Sequence, residues 1–324
     1  MPADDRPTPL RLATCPTPIE PAPRLSAEIG VDVWFKRDDL TGLGLGGNKV
    51  RGLEYLLGDA LERGSDCLVT GAGPQSNWAM LAALAARRCG LDPFLVYYGP
   101  PVAPGGNLML AELVGAEVHF TGELDRSSVD SGLEKLRGAL TAAGRRPYVV
   151  PRGGATALGA FGYLLAAVEL DGQLGDAGLR PSLLWLATGS CGTQAGLVAA
   201  APVLRIPYRV VGVTVSRPRD ECVERIASLA AGAAVLHGGE HAVPQEVTVL
   251  DGYLGPGYGH PSAAGAEAAR LVARTEGVFL DPVFGAKAMA ALVDAALAGR
   301  VDGPVVFLVT GGAPTLFGAA KASM

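Results

Sequence analysis

The 324-residue chain is poor in charge and in aromatic side chains. Charged residues make up 18% of it and aromatic residues 6%, whereas 49% are hydrophobic. A disordered protein has the opposite balance, low hydrophobicity with high charge, so that class is excluded. The 27 basic and 32 acidic residues give a net charge of −5 and form no block of one sign. A nucleic-acid partner, which usually requires a basic run, is therefore not expected.

Cysteine is also scarce, and long apolar runs are missing. The five cysteines are odd in number and show no CxxC spacing, which disfavours a disulfide scaffold and a zinc site. No stretch approaches the ~18 apolar residues of a membrane span. The N-terminal sequence MPADDRPTPL lacks the basic and apolar regions of a signal peptide. We therefore expect a cytoplasmic protein with no metal site and no membrane partner.

Glycine is in excess, with 45 residues. Many of these glycines lie in turns between segments that alternate between strand and helix patterns. The predicted strands are nearly continuous apolar runs, as buried parallel strands are: Val33–Lys36, Cys67–Thr70, Phe94–Tyr98, Glu117–Phe120, Pro147–Val150, Leu183–Ala187, Arg209–Val215 and Val305–Thr310. The predicted helices lie between them: Lys49–Arg63, Asn77–Cys89, Gly106–Val114, Leu158–Leu170, Thr193–Ala201, Pro261–Thr275 and Ala286–Ala298. This alternation predicts an α/β fold with parallel sheet and helices on both faces. Two domains are expected, a small one of residues 49–152 and a discontinuous large one of residues 1–48 and 153–324.

Three junctions from strand or loop to helix carry residues suited to binding and catalysis. The first, Thr188–Thr193, follows a strand with Gly, Ser, Cys and Thr, so its backbone N–H groups and hydroxyls could surround a phosphate. It lacks the lysine of a P-loop. The alternative is a glycine turn with an ordinary helix cap.

The second junction places Lys49 after four glycines within six residues, at the start of a helix. Backbone and a helix dipole near its amine, without acidic neighbours, would lower its pKa and favour a nucleophile. An ordinary solvated lysine is an equally good interpretation of this spacing. At the third junction, which runs to Trp78, Gln75, Ser76 and Asn77 could bind a carboxylate, although Ser76 could also serve only as a helix cap.

A loop with two tyrosines, Asp251–Pro261, and a glycine-rich turn after the last strand, Leu308–Thr315, complete the set. Plain turn chemistry would also explain both segments. Taken together, a lysine, a phosphate cradle, a carboxylate cradle and a tyrosine loop suit a cofactor with one phosphate and one aldehyde. We therefore predict pyridoxal 5'-phosphate as the cofactor.

From about Thr17 to Phe317 the sequence resembles the 1-aminocyclopropane-1-carboxylate deaminase / D-cysteine desulfhydrase family of fold-type II pyridoxal-phosphate enzymes. The matching segments are KRDDLTGLGLGGNKVR, TGAGPQSN, ATGSCGTQAGL, GPGYGHP, EGVFLDPVFGAKAMAAL and TGGAPTLF. The resemblance implies a tryptophan-synthase-β-like fold with two open, twisted parallel sheets, a large cofactor-binding domain and a small mobile domain on the substrate side. It also implies a homodimer and a small amino-acid substrate.

The resemblance assigns roles to individual positions. Lys49 would form the Schiff base and move the α-proton, and Asn77 would bind the phenolic oxygen of the cofactor. Ser190, Cys191, Gly192 and Thr193 would bind its phosphate. Ser76 and Tyr258 would act on the substrate, together with Gln75, Asn77, Trp78 and Phe284 as its surroundings.

The sequence departs from the family pattern at positions that face the substrate. Trp78 stands where His or Gln is usual, Phe284 replaces a tyrosine, and Gly285 replaces a Glu or Thr that approaches the pyridine nitrogen. Gly52 replaces a basic residue. We expect another partner for the ring nitrogen and nominate Thr315, whose alternative role is to cap the last helix through its own backbone.

These departures make α-proton removal with β-elimination, giving a keto acid and ammonia as in D-cysteine desulfhydrase, the preferred prediction. Cyclopropane ring opening is less expected, because the family is thought to use both tyrosines and the acidic ring partner. β-Replacement or racemisation of a specialised biosynthetic substrate is an alternative within the class. A pyridoxal-phosphate-binding protein without turnover is the alternative from another class.

Overall fold

The computed structural model describes residues 7–238 and 246–318, so residues 1–6 of the N-terminal segment discussed above lie outside the described part. Two sheets organise the chain. The ten strands are β1 Ile19–Pro21, β2 Val33–Arg37, β3 Cys67–Ala72, β4 Asp92–Tyr97, β5 Glu117–Phe120, β6 Pro147–Val149, β7 Leu183–Thr188, β8 Arg209–Thr214, β9 Thr248–Leu250 and β10 Val305–Val309. The helices are α1 Pro23–Ile29, α2 Lys49–Glu62, α3 Asn77–Arg88, α4 Gly106–Leu113, α5 Ser128–Ala142, α6 Ala157–Asp176, α7 Gly192–Leu204, α8 Arg219–His237, α9 Ala263–Glu276, α10 Gly285–Leu297 and α11 Thr315–Gly318.

The larger sheet has six strands in the order β1-β2-β10-β7-β8-β9. All its neighbours pair in parallel except β1, which runs antiparallel to β2. Residues of β7 and β10 are buried throughout, because helices cover both faces of this sheet. One apolar core lies under α6, α7 and α8, and a second lies under α1, α9 and α10.

The smaller sheet has four parallel strands in the order β5-β4-β3-β6. Helices α2, α3 and α4 contribute to the core on one of its faces, and α5 packs on the other. The predicted α/β architecture with parallel sheets and helices on both faces is therefore confirmed. The predicted boundary between a small domain of residues 49–152 and a large one remains a prediction.

Sequence patterning missed some elements. Strands β1 and β9 have three residues each, too few for a periodic signal, and α1, α5 and α8 were not predicted. The helix predicted to end at Leu170 continues as α6 to Asp176.

The segment Arg152–Asp176, which includes α6, is also an exception to the expectation that no stretch could cross a membrane. By length and composition alone it is apolar enough to do so. It packs against α2, α7 and α8, as the core helix of a globular fold does.

Candidate active site

A cavity lies where the carboxyl ends of β3 and β7, one from each sheet, turn into helices α3 and α7. Ligands of open α/β sheets usually bind at such strand ends. The cavity has two parts that share Lys49, Trp78 and Ser190. One part is also lined by Ser76, Asn77, Tyr258 and Phe284, and we call it the wide lobe. The narrow lobe is the part lined also by Gly52, Gly154, Gly192 and Thr193.

Lys49 is positioned by the glycine-rich turn that precedes it. Gly46 has a φ of +74° and a Cβ there would lie 1.9 Å from the backbone oxygen of Asp39, so only glycine fits. The N–H of Asn48 donates to the carbonyl of Thr310 at 3.0 Å, which fixes the helix start against the end of β10. Helix α2 therefore begins at Lys49 with the side chain in the cavity.

The amine of Lys49 has no hydrogen bond or ion pair with any described residue, and no described aspartate or glutamate lines either lobe. Burial lowers the pKa of Lys49 from its usual 10.5 to about 8, opposed by the nearby thiol of Cys191. With that pKa about a tenth of the amine is unprotonated at pH 7, far more than for an ordinary lysine, and the unprotonated form is the one that a nucleophile requires.

The loop after β7 forms the wall opposite α3. Helix α7 begins at Gly192, so its first N–H groups have no intrahelical acceptor and lie at the narrow lobe. The carboxamide of Asn48 donates to the Thr193 hydroxyl at 2.9 Å, and Arg225 donates to the Ser190 carbonyl at 3.3 Å. Ser190 lines both lobes, whereas the buried thiol of Cys191 points away from them, towards the carbonyl of Gly189.

The loop after β3 supplies Ser76 and Asn77. The Ser76 hydroxyl caps α3 by accepting from the N–H of Ala79, so its own proton remains available to a ligand. The Asn77 side-chain oxygen accepts from Asn107 at 2.7 Å, which leaves its amide N–H₂ without a partner among the described residues. A Cβ at Gly312 would lie 2.5 Å from that nitrogen, so the glycine keeps the space around it open.

Gln75, predicted to surround the substrate, does not line the cavity. Its side chain donates to the carbonyl of Gly105 and accepts from the N–H of Asn107. These contacts hold the loop before α4 against the start of α3. The structure therefore gives Gln75 a supporting position behind Asn77 instead of a contact with a ligand.

Trp78 lies at the junction of the two lobes and is 4% exposed. Its indole N–H donates to the Thr70 hydroxyl at 2.9 Å, and Thr70 donates to the carbonyl of Val150. A Cβ at Gly154 would lie 2.3 Å from the indole ring, so the ring packs directly on that glycine. Trp78 therefore contacts the cavity and is also fixed in the protein interior.

Two aromatic rings close the wide lobe. Tyr258 and Phe284 meet edge to face with ring centroids 6.2 Å apart. The guanidinium carbon of Arg126 lies 4.2 Å from the Tyr258 ring centroid. Burial raises the pKa of Tyr258, and the charges of Arg126, Arg152 and Arg217 oppose that shift. The phenol therefore keeps its proton at neutral pH and can donate it.

Thr315, nominated as partner of a pyridine nitrogen, is not brought to the cavity. Its hydroxyl donates to the carbonyl of Gly312 at 2.7 Å and lies at the start of α11, outside both lobes. The geometry favours the alternative role, a local contact to its own backbone. Position 285, as predicted, offers no side chain.

The nearest acidic group to position 285 is Asp281, whose oxygen would be 3.3 Å from a Cβ there. That carboxylate accepts from the N–H groups of Val283, Phe284 and Gly285 and does not line the cavity. Burial raises its pKa to about 6 against the effect of these donors. Its role in the structure is to accept hydrogen bonds from the backbone at the start of α10.

Sequence reasoning missed several residues of the wide lobe, namely Tyr98, Arg126, Arg152 and Arg217. Arg152 and Arg217 follow the ends of β6 and β8, so their place after strands was the available signal. Arg126 precedes α5, a helix that patterning did not find.

The donor set fits pyridoxal phosphate. The unpartnered amine of Lys49 suits an aldehyde, the start of α7 suits a phosphate, and the free N–H₂ of Asn77 suits a phenolic oxygen. These three groups lie around one cavity, although Lys49 and Gly192, the first residue of α7, are 143 positions apart in the chain.

Comparison with known proteins agrees with this chemistry. Residues 10–311 match the family model described as pyridoxal-phosphate dependent enzyme. The chain is 40% identical to a D-cysteine desulfhydrase of Salmonella choleraesuis (strain SC-B67) and 39% identical to one of Klebsiella pneumoniae. Both alignments cover 95% of this chain and 95% of the relative.

Solved structures give the same result. A structure described as an ACC deaminase homologue superposes with a TM-score of 0.90 at 38% identity and covers 96% of this chain and 93% of its own. A fungal L-serine ammonia-lyase from Rhizomucor miehei, with a TM-score of 0.65 at 20% identity over 93% of this chain and 94% of its own, shares the fold. These matches confirm the fold, the cofactor and the lyase or deaminase class that the motifs implied. The chain belongs to the family of pyridoxal-phosphate-dependent enzymes.

Proposed function

We propose that this enzyme removes the α-proton of a small amino acid and eliminates its β-substituent, giving a keto acid and ammonia in the manner of a D-cysteine desulfhydrase. The observation that carries the proposal is the unpartnered Lys49 amine in a cavity free of acidic side chains among the described residues, facing the Ser76–Asn77 end of α3. Bound pyridoxal phosphate supplies the electron withdrawal that makes the α-proton acidic. The side chains of this protein then have to bind, orient and exchange protons.

Each step can be assigned to a group in the cavity. The start of α3 and the Ser76 hydroxyl bind the α-carboxylate, because that hydroxyl retains its proton and a helix N-terminus attracts anions. Lys49 accepts the α-proton as the Cα–H bond breaks. The Cβ–S bond of cysteine then breaks with its electron pair on sulfur, and a carbon–carbon double bond forms.

The Tyr258 hydroxyl is placed to protonate the departing sulfur, since it lines the same lobe and keeps its proton at neutral pH. Water then hydrolyses the released enamine to pyruvate and ammonia. Phe284 carries no hydroxyl, so the second proton-transfer group expected for cyclopropane ring opening is missing from its predicted position. This supports elimination over ring opening.

A substrate panel tests the reaction. Purified enzyme loaded with pyridoxal phosphate is incubated with D-cysteine, L-cysteine and 1-aminocyclopropane-1-carboxylate, and sulfide, keto acid and ammonia are measured. We expect sulfide and pyruvate in equal amounts from a cysteine enantiomer, and little product from the cyclopropane. Binding of all three without any product would favour the non-catalytic alternative.

Borohydride reduction followed by peptide mapping tests the role of Lys49. The pyridoxyl group is expected on Lys49, because the amines of Lys36 and Lys287 are already bound by protein oxygens. Labelling of either of those two lysines would contradict the assignment. A Lys49→Ala variant should remain unlabelled.

The assembly is proposed to be a cytoplasmic homodimer. Met109 and Leu113 on α4 and Phe317 on α11 are 50%, 79% and 82% exposed, and these two helices are in contact. Such grouped apolar side chains are typical of an association surface. Sedimentation equilibrium of the wild type and of a Leu113→Asp variant tests this, since the variant should shift the mass towards that of one chain. A wild type that sediments as a single chain would contradict the proposal.

A further inference from the structure

The wide lobe carries a surplus of positive charge. Lys49, Arg126, Arg152 and Arg217 line it, and among the described residues that line it none is acidic. A small neutral β-substituent such as a thiol would give these arginines nothing to bind. Their arrangement therefore bears on the substrate of the proposed reaction.

The three arginines converge on one place from three elements. Arg126 precedes α5, Arg152 follows β6, and Arg217 follows β8. The Arg126 guanidinium stacks on the Tyr258 ring and donates to the carbonyl of Ser216 at 3.2 Å. The positive charges of all three act electrostatically on the Tyr258 hydroxyl, and each one favours a lower pKa for it. The positive charge is thus concentrated beside the group proposed to protonate the leaving group.

Protein carboxylates compensate this charge poorly. Arg126 has no carboxylate partner within the described ranges 7–238 and 246–318. Arg152 pairs with Asp130 and Arg217 with Glu221, but these carboxylates are 53% and 48% exposed, so solvent screens both pairs. The Arg217 Nε–H is buried without a hydrogen-bond partner among the described residues. A ligand that accepts hydrogen bonds here would satisfy groups that the protein leaves unpaired.

The other two anions at the site are bound elsewhere. The cofactor phosphate is assigned to the start of α7 at the narrow lobe, and no arginine is among the described residues that line that lobe. The α-carboxylate is assigned to Ser76 and the start of α3. The three arginines are therefore left for an anion on the side chain of the substrate.

We propose that the substrate is a small amino acid whose β-substituent is an oxyanion, such as a sulfonate, a sulfate ester or a phosphate ester, and that Arg126, Arg152 and Arg217 bind it. The inference depends on the proposed β-elimination. The Cα–H proton passes to Lys49, and the bond from Cβ to sulfur or oxygen breaks with its electron pair on the departing sulfite, sulfate or phosphate. That group gains negative charge as it leaves, so fixed guanidinium groups stabilise the transition state more than the ground state.

The test compares charged and neutral substrates of the same reaction. Both enantiomers of cysteate, serine O-sulfate and O-phosphoserine are compared with both enantiomers of 3-chloroalanine, whose β-substituent is neutral. Loss of one charge-assisted hydrogen bond corresponds to about ten- to hundredfold in kcat/KM. We expect Arg126→Gln and Arg152→Gln to lower the ratio of kcat/KM for the oxyanion substrates to that for 3-chloroalanine by about this factor.

Two further variants serve as controls. Arg137→Gln, an exposed arginine on α5 outside the cavity, should leave the ratio unchanged. Arg126→Lys keeps the charge and should retain more of the ratio than Arg126→Gln does. If Arg126→Gln does not fold, Arg126→Lys and Arg152→Gln still test the same site.

A binding measurement provides a readout without turnover. 2-Amino-3-phosphonopropionate has a C–P bond that this elimination does not break, and 2-aminobutyrate is its neutral counterpart. Calorimetry on the loaded enzyme should show tighter binding of the phosphonate, weakened about tenfold or more in Arg126→Gln. Equal affinity for the two ligands would overturn the inference.

Failure of the inference differs from failure of the proposed function. If 3-chloroalanine gives pyruvate while the oxyanion substrates react no better in wild type than in the arginine variants, the inference is wrong and β-elimination stands. If no compound of the set gives a keto acid in either configuration, β-elimination itself is contradicted.

Discussion

Lys49 has its functional property because of where the backbone places it. The amine is exposed only to the cavity, has no ion-pair partner among the described residues, and burial lowers its pKa to about 8. We expect Schiff-base formation by the apoprotein to accelerate as pH rises through about 8 and to level off above it. Stopped-flow absorbance after mixing with pyridoxal phosphate, as a function of pH, measures this. A rate that kept rising towards the usual lysine pKa of 10.5 would contradict the prediction.

The same pKa shift predicts how Lys49 affects stability. Between pH 8 and 10.5 the unfolded chain holds a proton on Lys49 that the folded chain has lost. Stability rises with pH wherever the unfolded state binds more protons, so the free energy of unfolding of the apoprotein should rise across this window. A Lys49→Met variant should lack that rise when both are unfolded in urea. The difference between the two proteins isolates this group from all others that titrate.

The size of the Trp78 side chain should determine which substrates fit into the cavity. It lies between the lobes, fixed by Thr70 and packed on Gly154. Trp78→His would open the cavity, and we expect it to raise kcat/KM for D-cysteine or aminocyclopropane carboxylate about tenfold above the wild-type value. The stability cost should be about 2 kcal/mol from lost packing. Urea unfolding measures the cost, and a substrate panel measures the profile.

Trp34 offers a matched control. It is a half-buried tryptophan on β2 that does not line the cavity. Trp34→His should also reduce stability but leave the ratio of activities between substrates unchanged. An unchanged ratio in Trp78→His as well, with the fold intact, would assign Trp78 a packing role only.

At the scale of elements, a buried ionic cluster attaches α2 to the rest of the chain. The Arg51 guanidinium bonds to Asp38 at 2.8 Å and to Glu169 on α6 at 2.9 Å, and Glu169 also pairs with Lys36. Burial acts to raise the pKa of Asp38, but the charge and hydrogen bonds of Arg51 prevail and lower it. Because Arg51 lies two residues after Lys49, this cluster also fixes the start of α2, the helix that begins at Lys49.

Arg51→Leu should therefore be strongly destabilising. It leaves the fully buried Asp38 without its countercharge, which costs about 3–5 kcal/mol in the free energy of unfolding. Chemical denaturation measures the loss. Arg63→Leu, at the residue that follows the end of the same helix, removes a surface pair with Asp59, where the arginine is 68% exposed, and should cost less than about 1 kcal/mol. Similar losses in the two variants would show that the cluster does not stabilise the fold.

At the scale of the whole molecule, the cavity joins two sheets that share no strand. The loop after β3 belongs to the smaller sheet and the loop after β7 to the larger one. A cofactor held at both should slow hydrogen exchange in residues 75–79 and in residues 189–193 together. Exchange measured by mass spectrometry with and without pyridoxal phosphate tests this, with Lys49→Ala as the control. Slowing in only one of the two loops would mean that the cofactor does not bridge the sheets.

Most of the fold was predictable because its strands are buried on both faces. Continuous apolar runs such as Leu183–Thr188 and Val305–Val309 have few alternatives to parallel strands between helices. The short strands β1 and β9 and mixed helices such as α8 were missed, since their apolar residues show no clear period. Of the site, Lys49, Ser76, Asn77 and the loop after β7 were identified because glycine-rich turns mark them in the sequence.

Spacing along the chain could not identify the rest of the site. Gln75 and Thr315 stand in the same kind of turn as Asn77, yet their side chains bond to Gly105 and Gly312 instead of reaching the cavity. Arg126 carries no local signal at all and faces the site only because α5 packs on the smaller sheet. Such directions follow from hydrogen bonds that the folded backbone offers, one to a distant segment for Gln75 and one within the same turn for Thr315.

The sequence by itself determined the parallel α/β architecture and the cofactor, and it singled out the amine proposed to react with that cofactor, because these depend on local apolar runs and on glycines that permit tight turns. The tertiary structure decided which side chains line the cavity. Arg126, Arg152 and Arg217 are far apart in the chain and meet beside Tyr258 only after both sheets have formed. Electrostatic interactions depend on distance in space, so the charge of the wide lobe is a property of the folded chain and not of any one segment.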